Sequence, residues 1–137
     1  MQLVVDTNVL ISALLARSKT FVIIVLGDLE LFAPEYALGE IDRHKEELRE
    51  RMGVSQEEFD LALNLILSHV VVINRQRYES FEAHARKICP DEKDFPFFAL
   101  ALALRIPFWT NETRLKVQKE VIVYNTKEMV ELIFGKQ

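Results

Sequence analysis

Hydrophobic and polar positions along this chain alternate between two periods, and each switch marks an element boundary. Leu3-Val4-Val5 is a short β-branched run that predicts a strand. It stops at Asp6-Thr7-Asn8, residue types that suit a helix start. Val9 to Ala16 and Phe21 to Leu29 read as two helices, and Leu31-Phe32-Ala33 as a brief strand stopped by Pro34. From Glu35 a helix is expected to about Met52, with Ala37, Ile41, His44 and Leu48 at near-helical spacing and Gly53 as its stop. Ser55 with Glu58 three residues on is a capping-box pattern. Behind it, Phe59, Ala62, Leu63, Ile66 and Leu67 form one apolar helix face.

Val70-Val71-Val72-Ile73 is a continuous apolar run, which predicts a strand covered on both faces. Tyr78 to Ile88 is expected to be helical, and residues 90–94 form a polar break. Pro96 fits the first turn of a new helix reaching about Arg105. Pro107 to Thr110 predicts a strand, Glu112 to Lys119 a helix, Val121 to Tyr124 a strand and Thr126 to Phe134 a helix. Strands alternating with helices imply α/β architecture around a parallel sheet with right-handed crossovers. In such sheets ligands bind beyond the carboxyl ends of the strands, where strand order reverses. The residues just after each strand are therefore the ones to inspect.

Composition narrows this picture. A chain of 137 residues is the size of one domain, residues 1–137, and no repeat or low-complexity linker divides it. Hydrophobic residues make up 50% and charged residues 28%, which excludes a disordered chain. The only cysteine, Cys89, excludes an internal disulfide and a thiolate metal cage, and it suits a reducing compartment. The opening MQLVVDTNVL lacks a basic n-region and is interrupted by Asp6, so it does not read as a signal peptide. The longest apolar run, Phe97 to Leu104, falls short of the roughly 20 residues a membrane span requires. A cytoplasmic protein with no membrane association is expected. The net charge of −4 sits uneasily with binding nucleic acid by covering phosphates, which calls for basic surface.

The candidate chemistry is acidic. Asp6 follows the first strand, Glu40 lies in the helix after the second, Asp91 and Asp94 open the helix before the fourth, and Glu112 follows that strand. Each has a local reading: Asp6 as a helix cap, Asp94 as a first-turn acid, Asp91 as turn chemistry, Glu40 and Glu112 as solvated helix acids. Gathered at one sheet edge, they would repel one another, and a divalent cation would relieve the repulsion. Mg²⁺ and Mn²⁺ prefer such oxygen ligands. An acidic cluster without His or Cys therefore favours phosphodiester chemistry over a zinc hydrolase. A phosphatase or phosphotransfer domain ranks lower. Asn8, not an acid, stands two residues after Asp6, and no Gly-rich phosphate loop is present.

Four stretches, in order, resemble the PIN-domain family: VVDTNVLISALL (4–15), YALGEIDRH with Glu40, DEKDFPFFALALAL (91–104) with Asp94, and PFWTNETRL (107–115). One departure is that Glu112 stands where the family usually has Asp. The resemblance implies a three-layer α/β/α sandwich with a parallel sheet of four or five strands. It also implies endonucleolytic cleavage of single-stranded RNA with Mg²⁺ or Mn²⁺. In that reading Asp6 and Asp94 hold the metal, Glu40 and Glu112 complete its shell, and Thr7, Asn8 and Thr110 steady the carboxylates. Asp91 is a possible supplement to the fourth acid. Many small members are similar to VapC-like toxins, often homodimers inhibited by an antitoxin protein. The alternative is a non-catalytic metal- or nucleic-acid-binding regulatory module on the same fold. Arg17, Lys19, Arg43, Lys45, Lys93 and Arg114 are candidate phosphate contacts or, equally, surface ion-pair partners. His44, one turn after Glu40, and Trp109 are assigned no catalytic or stacking role.

Overall fold

The computed structural model describes residues 1–15 and 18–135. In chain order the regular elements are β1 (Gln2–Val5), α1 (Thr7–Leu15), α2 (Lys19–Leu26), β2 (Glu30–Pro34), α3 (Glu35–Arg43), α4 (Lys45–Met52), α5 (Gln56–Leu67), β3 (Val70–Ile73), α6 (Glu82–Ile88), α7 (Phe95–Leu104), β4 (Phe108–Trp109), β5 (Val123–Tyr124) and α8 (Thr126–Phe134). The five strands form one all-parallel sheet in the order β3-β2-β1-β4-β5, flanked by helices in an α/β/α sandwich. The chain builds outward from β1 in one direction through β2 and β3, then returns to add β4 and β5 on the other side. Strand order therefore reverses between β1 and β4, the position at whose carboxyl edge open α/β sheets bind ligands.

Helix α7 lies across β1, β2 and β4. Its sequence, FPFFALALAL, is apolar all round, as suits a helix enclosed by neighbours. Phe97 stacks on Phe108 with ring centroids 5.5 Å apart, and Phe98 meets Phe108 edge-on at 5.7 Å. These rings, with Trp109, are fully buried and anchor the centre of the sheet to the helix that begins at Asp94. On the N-terminal half, α1 packs against α2, α3 and α5. No single helix among the described residues is long and apolar enough to cross a membrane.

Several boundaries differ from expectation. The second helix stops at Leu26 instead of Leu29: the Gly27 N–H closes it on the Ile23 carbonyl, its ψ of 1° leaves the helical path, and Asp28 turns the chain with φ 51°. The expected last residue of α1, Ala16, lies outside the described residues. The long helix expected from Glu35 is two helices broken at His44, whose N–H donates back to Ile41 and whose ψ of 7° leaves the helical path. The break turns the highly charged α4 along the surface while Leu48 stays buried. The helix expected from Tyr78 begins at Glu82, after 3-10 turns at Arg75–Arg77 and Glu79–Phe81. Residues expected to be helical after Glu112 form a 3-10 segment, Thr113–Val117.

The largest correction concerns β3. It is an edge strand paired only with β2, and Val71 and Val72, which face opposite sides, are 51% and 38% exposed. Apolarity alone cannot tell a covered strand from an exposed edge. The two environments predict opposite sensitivities. Phe98→Ala is expected to cost about 3–5 kcal/mol and Val71→Thr no more than about 0.5 kcal/mol in urea unfolding.

Candidate functional site

Asp6 leaves β1 at the point where strand order reverses. Its N–H donates to the Trp109 carbonyl at 3.0 Å, one residue beyond the β1–β4 ladder. Its own carbonyl accepts from the N–H groups of Val9 and Leu10, which opens α1. The backbone is thus held from both sides, and the side chain is only 3% exposed. Its Oδ2 accepts a hydrogen bond from the Thr110 hydroxyl at 2.7 Å. That hydroxyl in turn accepts from the Glu112 N–H at 3.1 Å, so Thr110 links the first acid to the turn carrying the last. Asn111 fixes the same turn by accepting from the Thr126 N–H at 2.8 Å.

The second acid is held similarly. Thr7 donates its hydroxyl to Glu40 Oε1 at 2.7 Å, tying the first turn of α1 to α3. Asp94 immediately precedes α7, and among the described residues its carboxylate has no hydrogen-bond donor. A buried acid with few donors resists ionisation. Burial pushes the Asp6 carboxyl up to about 6; the Thr110 hydroxyl and the Asn8 backbone N–H pull it down, while Glu40 and Glu112 push it further up. Burial, then the charges of Asp6, Asp91, Glu112 and Glu40, push Asp94 up to about 7. The four acids read from the sequence therefore share one electrostatic neighbourhood at the carboxyl edge of β1 and β4.

Other candidates are placed differently. Asp91 shares this neighbourhood, since its charge raises Asp94, and its oxygens have local partners: Oδ1 accepts from the Lys93 N–H at 2.9 Å and Oδ2 from Arg114 at 2.7 Å. Asn8 acts through its backbone N–H, and its side chain is exposed without a hydrogen bond among the described residues. His44 points to Glu47 at 3.8 Å, not to Glu40. Trp109 is buried and its indole N–H donates to Thr126 at 3.1 Å, a packing role. Lys45 pairs with Asp60, and Arg114 with Asp91. Lys19 and Lys93 are exposed, and Arg17 lies outside the described residues.

One neighbour escaped the sequence reading. Tyr36, in the first turn of α3, is raised by burial and by the charge of Glu40, lowered by nearby Arg43, and raised by Asp94. It packs edge-on against Phe97 at 6.2 Å. Its only signal was its place just after a strand, which a tyrosine shares with many core residues. No three described His, Cys, Asp or Glu side chains are gathered into a ready-made cation cage. Buried Asp6 and donor-poor Asp94 instead offer hard oxygen donors whose mutual repulsion a cation would relieve.

A sequence model of the PIN domain matches residues 4–131. No curated protein matches the chain. Among solved structures, a chain in the crystal structure of VapBC2 from Rickettsia felis bound to a DNA fragment from their promoter has the same fold. It superposes with a TM-score of 0.67 at 15% identity, covering 91% of this chain and 98% of that one.

The raised acids have a thermodynamic consequence. An unfolded aspartate ionises near 3.8, so between that pH and about 7 the folded chain holds protons that the unfolded chain has lost. Stability therefore falls as pH rises across this window, and the full penalty applies above it. Asp94→Asn removes an ionisation worth about 2 kcal/mol after allowance for solvent at a half-buried side chain. We expect its Tm to exceed that of the wild type by about 6 °C at pH 8 and to converge with it near pH 4, as read by calorimetry without divalent ions.

Proposed function

The chain belongs to the PIN-domain family, and on that premise we propose that it is a metal-dependent endoribonuclease that cleaves single-stranded RNA. The observation that carries this reading is Asp6, a buried carboxylate clamped at the strand-order reversal, whose charge acts on a second acid, Asp94, that has no hydrogen-bond donor among the described residues. Folding against such repulsion is costly, and sites that retain the cost are functional more often than structural.

Asp6 and Asp94 would hold Mg²⁺ or Mn²⁺, with Glu40 and Glu112 at the margin of its shell. Mg²⁺ needs few protein ligands, since it keeps several waters and takes phosphate oxygens from substrate, so a pair of acids flanked by two more suits it. When bound, the ion supplies Lewis acidity toward a phosphoryl oxygen and acidifies a coordinated water. The chain supplies the rest. Thr110 fixes the rotamer of Asp6. Thr7 occupies Oε1 of Glu40, and Oε2, without a hydrogen bond among the described residues, is placed to accept a proton from an attacking water. Glu112, anchored through its N–H to Thr110, keeps a longer arm than Asp would have and reaches from a turn that is itself fixed. Arg43, beside Tyr36, is the nearby cation suited to the substrate's phosphates.

The VapBC2 neighbour supports a narrower version, in which this chain is the toxin of a toxin–antitoxin pair; the homodimer rests on the family resemblance alone. The second reading, a regulatory module without catalysis, draws on the absence of a three-ligand cage among the described residues and on Glu112 at the fourth position.

On the nuclease reading, purified protein cleaves single-stranded RNA only with Mg²⁺ or Mn²⁺, and Asp6→Asn or Asp94→Asn lowers the rate more than about 100-fold. Cleavage that persists in EDTA or in both variants would overturn the assigned site. Saturating Mn²⁺ is also expected to stabilise the wild type by about 3 kcal/mol, seen as a higher Tm that EDTA reverses and that Asp6→Asn does not show. Mn²⁺ binding without any RNA cleavage would favour the regulatory module.

A further inference from the structure

A cavity of about 360 Å³ opens beside the acid cluster, one and two strands away along the same carboxyl edge of the sheet. Glu35 and Tyr36, just after β2, form one wall, and Arg75, two residues after β3, forms another. Arg86 of α6 and Phe95, the residue following Asp94, close it. Tyr36 belongs to both places, because the cavity is lined by it and its phenol feels the charges of Glu40 and Asp94.

The walls are chemically mixed and rigid. Arg75 donates through both Nε and Nη2 to Glu82 Oε1 at 2.9 Å, and Glu82 is only 8% exposed, so this cation is spent on a buried partner. The Arg75 backbone N–H donates to Glu35 Oε1 at 3.2 Å, which leaves Glu35 Oε2 as an acceptor at the rim. Arg86 lies 4.2 Å from the centroid of the Phe95 ring and pairs with no carboxylate among the described residues. A guanidinium whose carbon sits over an aromatic face and has no carboxylate partner keeps N–H groups for an anion.

A ligand for this cavity must therefore present a flat face to Tyr36, N–H donors to Glu35 and an anion to Arg86. A bare phosphate meets only the last demand, and an apolar side chain only the first. A nucleotide meets all three, and the volume lies at the small end of ligand pockets, which run from about 300 to 1,000 Å³. Single-stranded RNA is commonly read through bases splayed out onto aromatic side chains.

We propose that this cavity is a nucleotide subsite: it holds one splayed-out base of the RNA next to the cleaved phosphodiester, against Tyr36, with that nucleotide's phosphate on Arg86. The inference rests on the nuclease reading for its substrate but not for its test. The probe is 5′-AMP, titrated in EDTA and followed by saturation-transfer NMR, with inorganic phosphate as competitor. AMP base protons should receive saturation, and phosphate at equal concentration should not displace AMP. Arg86→Met, at an exposed position, and Tyr36→Leu should each weaken binding by about tenfold. With Mn²⁺, Arg86→Met should raise KM for RNA by about tenfold and leave kcat within about twofold.

Absence of saturation transfer, displacement by phosphate alone, or binding indifferent to both substitutions would overturn the subsite even if RNA is cleaved. AMP bound through Arg86 by a protein that cleaves no RNA would instead support the nucleotide pocket and overturn the nuclease reading. Circular dichroism melts of both variants separate a lost contact from a lost fold.

Discussion

The hydrogen bond from Thr110 to Asp6, 2.7 Å long and buried, joins the ends of two strands that are 104 residues apart in the chain. Much else follows from it. It lies where β1 and β4 meet, so it forms only after the chain has completed β2, β3 and seven helices, α1 to α7, and returned to the middle of the sheet. Its backbone companion, Asp6 N–H to the Trp109 carbonyl, extends the ladder one residue past the last pair of strand residues. A site built on this junction inherits the rigidity of the sheet, unlike one built on loops alone. The same Thr110 hydroxyl accepts from Glu112, so one oxygen sets the positions of two acids from opposite ends of the sequence.

Holding acids there costs stability, and the fold concentrates the compensation nearby. The apolar helix α7 buries Pro96 through Ala101 against the sheet, with Phe97 and Phe98 packed on Phe108. Each buried side chain of this size contributes about 2–3 kcal/mol, comparable with the penalty of one strained carboxylate. Asp94 sits immediately before the most strongly anchored segment of the chain. Its carboxylate cannot escape the repulsion by swinging the helix start away without opening that core.

Asp6, Asp94 and Glu112 draw attention in the sequence because each follows a strand or opens a helix, which leaves a strong local mark; Glu40, in the middle of α3, has no such mark. Asp6 comes after a β-branched run, and Asp94 stands two residues before Pro96 with eight apolar residues behind it. The hydroxyl partners were legible for the same reason, lying within one residue of those boundaries. What the sequence concealed was set by contacts distant along the chain. Asp91 seemed available until Arg114, 23 residues later, reached it. Val71 and Val72 looked like interior residues because nothing local states that β3 is last in its sheet. The break at His44 has no proline or glycine to announce it; the exposed, charged course of α4 decides it. The cavity beside Tyr36 draws its walls from four separate segments, none with a motif of its own.

Those same distant contacts bear on the net charge of −4, which seems to argue against a polyanionic substrate. Net charge governs long-range attraction, but screening limits it to about 8–10 Å at physiological salt, and inside that range pairing matters more than the total. Lys45, Arg49, Arg75, Arg114 and Lys116 each lie against a carboxylate and add little positive field. Arg43 and Arg86 do not, among the described residues, and both lie near Tyr36: one lowers the pKa of its phenol, the other shares the cavity it lines. The chain is acidic overall, yet two guanidinium groups without a carboxylate partner among the described residues, Arg43 and Arg86, lie close to Tyr36 and the clustered acids. That placement favours an anion at short range whatever the total charge, so a net charge of −4 does not by itself exclude an anionic partner at this edge of the sheet.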